Sequence, residues 1–163
     1  MADTCPQGNL SYFYDNQYYS NTSPTVYDML LQYFMLGYGS AGHVAQNIAA
    51  TNEYFTEKNS FYLPSSPSLY MLPSQIANAL VQAKTMPGAN AARIIDNMLF
   101  SLKAEIEREM TETGTNKYLI DTSPFFAGAT HLAWHATDAL IVPVRTDQQS
   151  INSLSLLLNT LSN

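Results

Sequence analysis

The spacing of apolar residues predicts helices along most of the chain. After Ser23-Pro24, which suits a helix start, Val26, Met29 and Leu30 begin a pattern of 3.6-residue period that ends near Gly37. Five further patterns of this kind follow. The predicted helices cover about 24–36, 41–55, 73–86, 90–112, 126–137 and 151–161.

Short apolar runs between these helices predict strands. Two of them, Phe61–Leu63 and Leu69–Leu72, are each followed by proline, and the second is the better candidate. Two more are Lys117–Asp121 and Ala139–Pro143. The polar, tyrosine-rich segment 8–22 predicts a long loop.

Wholly apolar strands that alternate with helices are typical of a parallel sheet covered on both faces. The predicted fold class is therefore α/β, a three-layer arrangement with a mostly parallel sheet and helices on both faces. Ligands of such sheets bind beyond the carboxyl ends of the strands. Asp121 and Arg145 each lie at or just past such an end, so they are the first candidate site residues.

Composition narrows the class of protein. The 163 residues suit a single domain, and 46% of them are hydrophobic, which excludes a disordered acidic tail. Charged residues make up 12%, about half the usual share. The seven basic residues are scattered and form no stripe that would neutralise a nucleic acid. They are Lys58, Lys84, Arg93, Lys103, Arg108, Lys117 and Arg145.

The sequence also argues against secretion and membrane insertion. It opens without a basic and apolar signal segment, and no apolar run approaches the ~20 residues that span a bilayer. Its single cysteine, Cys5, excludes an internal disulfide. We therefore expect a cytoplasmic protein.

Three local patterns have a plain structural alternative. The glycines of 37–42 fit G-x-G-x-x-G, but a predicted helix precedes them where a dinucleotide site needs a strand, so a helix connection is favoured. His131 and His135 share a helix face as a zinc pair would, yet no third ligand is evident, and a polar helix surface or subunit contact is favoured. Cys5 lacks a C-x-x-C partner and needs no special role.

Four segments together resemble the ParA/Soj/MinD family of deviant Walker P-loop ATPases. Asp3-Thr4-Cys5-Pro6-Gln7-Gly8-Asn9 resembles its D-x-D-P-Q-G-N signature. Residues 69–74 are similar to its short strand that ends in proline, and 118–124 to its Walker B strand, hydrophobic-I-D-x-P-P. Residues 136–144 are similar to A-A-D-x-x-L-I-P-x. Their order and spacing extend the resemblance over essentially the whole chain, 1–163.

The resemblance implies ATP and Mg²⁺ as cofactors. Asp121 would take the Walker B role and hold Mg²⁺ through water, and Asp3 would take the first D-x-D position near the attacking water. Pro143 and Arg145 would border the nucleotide. A strand-terminating acid without a ligand is the alternative for Asp121. The implied roles are plasmid or chromosome partition or cellular positioning, with a ParB-like adaptor or a membrane as the usual partner.

The sequence departs from the family at several positions. It contains neither G-x-x-x-x-G-K-[ST] nor K-G-G-x-G-K-T, the loop that cradles the phosphates and that the family places before the D-x-D strand. Cys5 replaces the second D-x-D acid and Ser123 the first Pro of D-x-P-P. The family's basic DNA-binding region after the last helix is missing too. We therefore expect a partial nucleotide-binding domain that lacks ATPase activity in this chain.

Two further expectations concern how the chain completes itself. In the family the absent first strand lies centrally, beside the Walker B strand. The chain is therefore a piece of a longer protein, or the gap is closed by rearranged strands or by a second copy, which makes self-association or a homodimer the expected state. The alternative function is a non-catalytic protein-interaction module of degenerate ParA-like fold, and a weaker one is an enzyme that uses the two histidines.

Overall fold

The computed structural model describes residues 1–20, 23–36, 42–123 and 128–161. They form a mixed fold of helices and small sheets, one of which has two parallel strands. This agrees with the α/β class, whereas its finer three-layer form stays a prediction. The helices are α1 (Asn9–Tyr14), α2 (Val26–Leu36), α3 (Leu72–Ala83), α4 (Gly88–Leu99), α5 (Ser101–Thr113), α6 (Thr130–Ala136) and α7 (Gln148–Leu161). None of the helices in these ranges is both long and apolar enough to cross a bilayer.

The strands are short, and each has two residues. β1 (Ala2–Asp3) pairs in parallel with β4 (Ile120–Asp121), and β2 (Gln46–Asn47) pairs antiparallel with β3 (Phe61–Tyr62). Leu63, directly after β3, bridges to Ala2 and so joins the two pairs. Within the described residues β1 therefore has neighbours on both sides, whereas β4 lies at the edge.

The main core lies between this sheet and the helices. Val26, Met29 and Leu30 of α2 are fully buried, as their helical spacing predicts. They pack with Leu102 and Leu132 from α5 and α6 in one cluster. A smaller cluster of Tyr14, Ile48 and Tyr62 covers the β2–β3 pair. This core fixes the positions of β1 and β4.

Several predicted elements agree with the structure. α2, α3 and α7 form where the apolar spacing placed helices, and Gly114 ends α5 in the left-handed conformation. Phe61–Leu63 does contribute a strand. Of Lys117–Asp121 only the last two residues pair as a strand. The predicted helix 126–137 is observed as α6, and its residues 126–127 lie outside the described ranges.

Two predictions that involve helices are wrong. The long helix 90–112 is two helices, because Phe100 takes φ −94° and ψ 5° and breaks the chain direction between α4 and α5. The predicted helix 41–55 does not form within the described residues 42–55. The Asn47 and Asn52 side chains accept backbone N–H bonds two residues on, at Ala49 and Tyr54, and so start separate short 3-10 turns.

Two strand predictions and one loop prediction are also wrong. Leu69–Leu72 lies in and after a 3-10 helix, where Leu69 and Leu72 are buried and the residues between them exposed, a spacing of three rather than two. Residues 139–143 are exposed and form no strand. The predicted loop 8–22 contains α1, which Gly8 opens at φ 65°, and a 3-10 turn at Tyr18–Ser20.

Candidate functional site

Two acidic residues lie side by side where β1 and β4 end. The parallel register places Asp3 opposite Asp121. The backbone N–H of Thr4 donates to the Asp121 carbonyl at 2.9 Å, and the Thr4 hydroxyl donates to the same oxygen at 2.7 Å. The carboxyl ends of both strands therefore form one edge, and the two candidate residues predicted there are brought together.

The Asp3 carboxylate is fully buried and is used by three internal hydrogen bonds. Its Oδ1 accepts from the Cys5 N–H at 3.1 Å. Its Oδ2 accepts from both the N–H and the hydroxyl of Ser11, at 2.8 and 2.7 Å. Ser11 lies in the first turn of α1, where a carboxylate satisfies an otherwise unpaired N–H. In this structure Asp3 holds the β1–α1 turn.

Aromatic and small residues fix the turn that follows Asp3. The Tyr19 hydroxyl donates to the Gln7 carbonyl at 2.7 Å, and the ring of Tyr18 packs against that of Tyr19. A Cβ on Gly8 would lie 1.6 Å from the Tyr18 oxygen, so only glycine fits there. The packing of these side chains therefore fixes the conformation of the turn after Asp3.

Gly128 approaches the same turn from the other side. Its φ is +60°, and a Cβ there would lie 2.7 Å from the Thr4 carbonyl oxygen. Ser65 donates from its hydroxyl to the Cys5 carbonyl. The site edge is thus built from the chain's first turn, the residues after β3 and the entry to α6.

The two carboxyl groups differ in exposure. Burial raises the pKa of Asp3; the hydrogen bonds from Ser11 and Cys5 oppose this, and the charge of Asp121 adds to it. Asp121 is exposed at its side chain, although partial desolvation also raises the pKa of its carboxyl. Of the pair, Asp121 is the one that a ligand can reach.

The edge suits a hydrated cation better than a phosphate chain. An exposed carboxylate is a suitable ligand for Mg²⁺ or its water shell. A phosphate cradle needs several free backbone N–H groups. In the turn after β1, however, Thr4, Cys5 and Gly8 donate theirs to Asp121, Asp3 and Cys5. Asp121 can contribute to holding Mg²⁺, and this turn does not cradle phosphates.

The other predicted site residues lie apart from this edge. Pro143 and Arg145 are exposed and line a depression of about 560 Å³ with Asp147. Neither Asp3 nor Asp121 lines that depression. That Pro143 and Arg145 border a nucleotide stays a prediction.

The remaining sequence patterns lie on other parts of the chain or are buried. His131 and His135 are exposed on α6, where the His135 ring meets the edge of Phe100. Cys5 is buried. The G-x-G-x-x-G pattern at 37–42 lies outside the described residues except for its last glycine.

Sequence reasoning missed two residues that shape the molecule. Ser11 is the main partner of Asp3, but nothing in a tyrosine-rich segment indicates that role. Glu109 on α5 is buried and accepts N–H bonds from Val44 and Ala45, both at 3.0 Å. A glutamate on the apolar side of the predicted helix, next to Met110, was the available signal.

Comparison of the chain with protein-family models, with curated proteins and with solved structures found no match. The resemblance to the ParA/MinD family therefore stays a prediction from the four sequence motifs.

Proposed function

We propose that the chain is a ParA/MinD-like ATPase-family domain with a role in plasmid or chromosome partition or in cellular positioning. Its architecture is the three-layer, P-loop NTPase-like arrangement in incomplete form. By itself it does not hydrolyse ATP.

The observation that carries the proposal is the parallel pairing of β1 with β4. The resemblance assigns Asp3 to the D-x-D strand and Asp121 to the Walker B strand. In the structure these aspartates are register partners at one edge. Two motifs that are far apart in the chain are thus adjacent in the fold, which supports a Mg²⁺ site at this edge.

A groove along the open side of β4 supports the same proposal. It measures about 580 Å³ and runs between residues 116–122 and residues 133–141. Tyr118, Ile120, Leu140 and Ile141 contribute to its lining. The resemblance places the family's first strand, which leads into the phosphate loop, beside the Walker B strand. An apolar strand would fill this groove and pair with β4.

Each aspartate has a distinct role in this account. Asp121 holds the water shell of Mg²⁺, whereas Asp3 maintains the β1–α1 turn. Bound Mg²⁺ would neutralise charge on the β- and γ-phosphates. In the family the K-G-G-x-G-K-T segment forms the phosphate cradle, and this sequence does not contain that segment.

Grafting that segment onto the chain tests the proposal. An apolar strand, a K-G-G-x-G-K-T loop and a helix are joined to the amino terminus, and thermal unfolding is followed with Mg²⁺ and a non-hydrolysable ATP analogue. We expect the analogue to raise the Tm of the grafted chain and to leave that of the ungrafted chain unchanged. Asp121→Asn removes the rise, whereas Asp96→Asn, an exposed aspartate on α4, retains it.

Two results would overturn the proposal. The first is a correctly folded grafted chain with no response to the nucleotide. The second is phosphate release from ATP by the ungrafted chain. A graft whose loop lysine is replaced by alanine controls for a merely structural effect of the added strand.

A non-catalytic interaction module is the second candidate, and exposed apolar side chains favour it. Ile141 is 81% exposed, and Leu140, Val144, Leu156 and Leu158 are also exposed. Such a patch is typical of a protein-protein contact. Two results together would support the interaction module instead: the Tm of the grafted chain does not change with nucleotide, and the ungrafted chain self-associates through this region.

A further inference from the structure

A cluster of ionisable side chains joins α5 to the segment that precedes β2. His43 contributes its imidazole from that segment, and Glu109 and Glu112 contribute carboxylates from successive turns of the helix. Their nearest ligand atoms all lie within 4.8 Å of one another. The cluster shares no residue with the Asp3–Asp121 edge.

One oxygen of each carboxylate is directed at the imidazole. Nδ1 of His43 lies 2.8 Å from Oε2 of Glu109 and 3.1 Å from Oε2 of Glu112. A tetrahedral zinc ion, bonded at about 2.0–2.2 Å, keeps its donors roughly 3.3 Å apart. Each of the two oxygens is therefore within a few tenths of an ångström of the separation from Nδ1 that such an ion requires, and all three atoms lie within 4.8 Å of one another.

The other carboxylate oxygens are held by fixed donors. Arg108 donates to Oε1 of Glu109 at 2.8 Å and to Oε1 of Glu112 at 2.9 Å. The Val44 N–H also donates to Oε1 of Glu109, at 3.0 Å, and the Ala45 N–H donates to its Oε2. Outer partners of this kind orient metal-binding carboxylates.

The charges of the cluster do not balance without a further cation. Arg108 also pairs with Glu105, so one guanidinium faces the three carboxylates of Glu105, Glu109 and Glu112. Two of these side chains, Glu105 and Glu109, are only 4% exposed. Buried charge is costly unless it is paired. A proton on His43 would leave one negative charge, whereas a divalent ion bound to neutral imidazole would leave none.

We propose that His43, Glu109 and Glu112 bind one Zn²⁺ ion, with water in the remaining position. An imidazole with two carboxylates is a donor set that zinc accepts. The ion joins the segment 42–45 to the carboxyl-terminal half of α5 and stabilises that contact.

Zinc titration of the metal-free full chain tests the site. The protein is treated with a chelator and then titrated with ZnCl₂ near neutral pH in competition with a chromophoric zinc chelator, and thermal unfolding is recorded in parallel. We expect one Zn²⁺ per chain and a higher Tm. His43→Ala and Glu112→Gln should each weaken binding by at least about tenfold. Glu112 is 43% exposed, so its variant tests the site without disturbing the core.

The other two histidines provide matched controls. His131→Ala and His135→Ala lie on α6, outside the cluster, and should bind zinc like the wild-type chain. The proposal is overturned if the wild-type chain does not bind Zn²⁺ in competition with the chelator. It is equally overturned if His43→Ala and Glu112→Gln bind normally, or if His131→Ala or His135→Ala abolishes binding, which would indicate adventitious zinc on α6.

X-ray absorption at the zinc edge gives an independent measure of the ligands. We expect nitrogen and oxygen neighbours at about 2.0–2.2 Å and no sulfur. A sulfur neighbour would place the metal at Cys5, the single cysteine of the sequence, and would contradict the assignment.

Discussion

At the residue scale, two aspartates in the same register have different surroundings. Asp3 is buried under three hydrogen bonds, whereas Asp121 is exposed. The strand that ends at Asp121 follows from the apolar pattern, whereas the place of Asp3 at a strand end follows from the family resemblance. The difference in their surroundings follows from neither, because it depends on Ser11, which α1 brings under Asp3.

This difference predicts that truncating Asp3 lowers the stability of the chain far more than truncating Asp121. Asp3→Ala leaves three buried donors on Ser11 and Cys5 without an acceptor, at about 1–3 kcal/mol each if they stay dry. We therefore expect a loss of at least about 2 kcal/mol in the free energy of unfolding, whereas Asp121→Ala changes it by less than about 0.5 kcal/mol. Urea unfolding of both variants measures this. Equal losses would show that Asp3 does not hold the turn.

The pKa of Asp121 gives a second prediction at this scale. Burial raises the pKa of its carboxyl above the ordinary 3.8 in the folded chain, so ionisation opposes folding. The neutral carboxyl therefore contributes to the free energy of unfolding at a pH below its ordinary pKa, and this contribution is lost as the pH rises through the pKa of the folded chain. Asp121→Asn carries no such loss, so its stability relative to the wild type should increase from about pH 3 to about pH 7 in urea unfolding. A difference that is constant or falls with pH would contradict this.

At the scale of elements, apolar periodicity predicted the helices that face the core. α2 and α3 keep the 3.6-residue pattern that buries one face against the sheet or a neighbouring helix. α7 keeps the pattern as well, but none of its described side chains is buried. The failures occur where a local side chain decides the backbone. Asn47 and Asn52 start short turns, and Ser66 with Pro67 begins a 3-10 helix that places Leu69 and Leu72 on one face. The family resemblance assigned Asp3 and Asp121 to strand ends but did not pair the two strands. The His43–Glu109 contact depends on packing that no short pattern encodes.

Gly114 offers a test of how α5 ends. Its φ is +67°, and no atom lies within 4 Å of the place where a Cβ would stand. Gly114→Ala should therefore cost about 1–2 kcal/mol of stability through the backbone alone. Gly88→Ala is the control: that residue begins α4 without positive φ, so the change should be neutral or slightly stabilising. Equal effects in thermal unfolding would argue against the left-handed stop.

At the scale of the whole molecule, the region after α6 is the least covered. Residues 139–145 are exposed although they are largely apolar, and 139–141 border the groove along β4. Within the described residues no strand pairs with 139–143, and the predicted strand is not observed there. Self-association stays a prediction, and the exposed apolar side chains of this region offer a surface for it.

Self-association can be tested by a single charge in this region. We expect the ungrafted chain to form dimers or larger species in sedimentation velocity, because the exposed apolar patch is buried on contact. Ile141→Asp should shift the distribution towards the monomer. Val81→Asp, at another exposed apolar position that is 64% exposed on α3, should leave it unchanged. A wild-type chain that stays monomeric at high concentration would contradict this expectation.

Amide hydrogen exchange along β4 tests the central claim most directly. Peptides that cover residues 116–123 are compared in the chain with and without the grafted strand and phosphate loop, with peptides from α3 as the reference. A strand that occupies the groove protects the open edge of β4, so we expect exchange at 118–122 to slow markedly on grafting while α3 is unchanged. Unaltered exchange at 118–122 in a folded grafted chain would show that the groove is not the place of that strand, and the ParA-like account of the Asp3–Asp121 edge would fail.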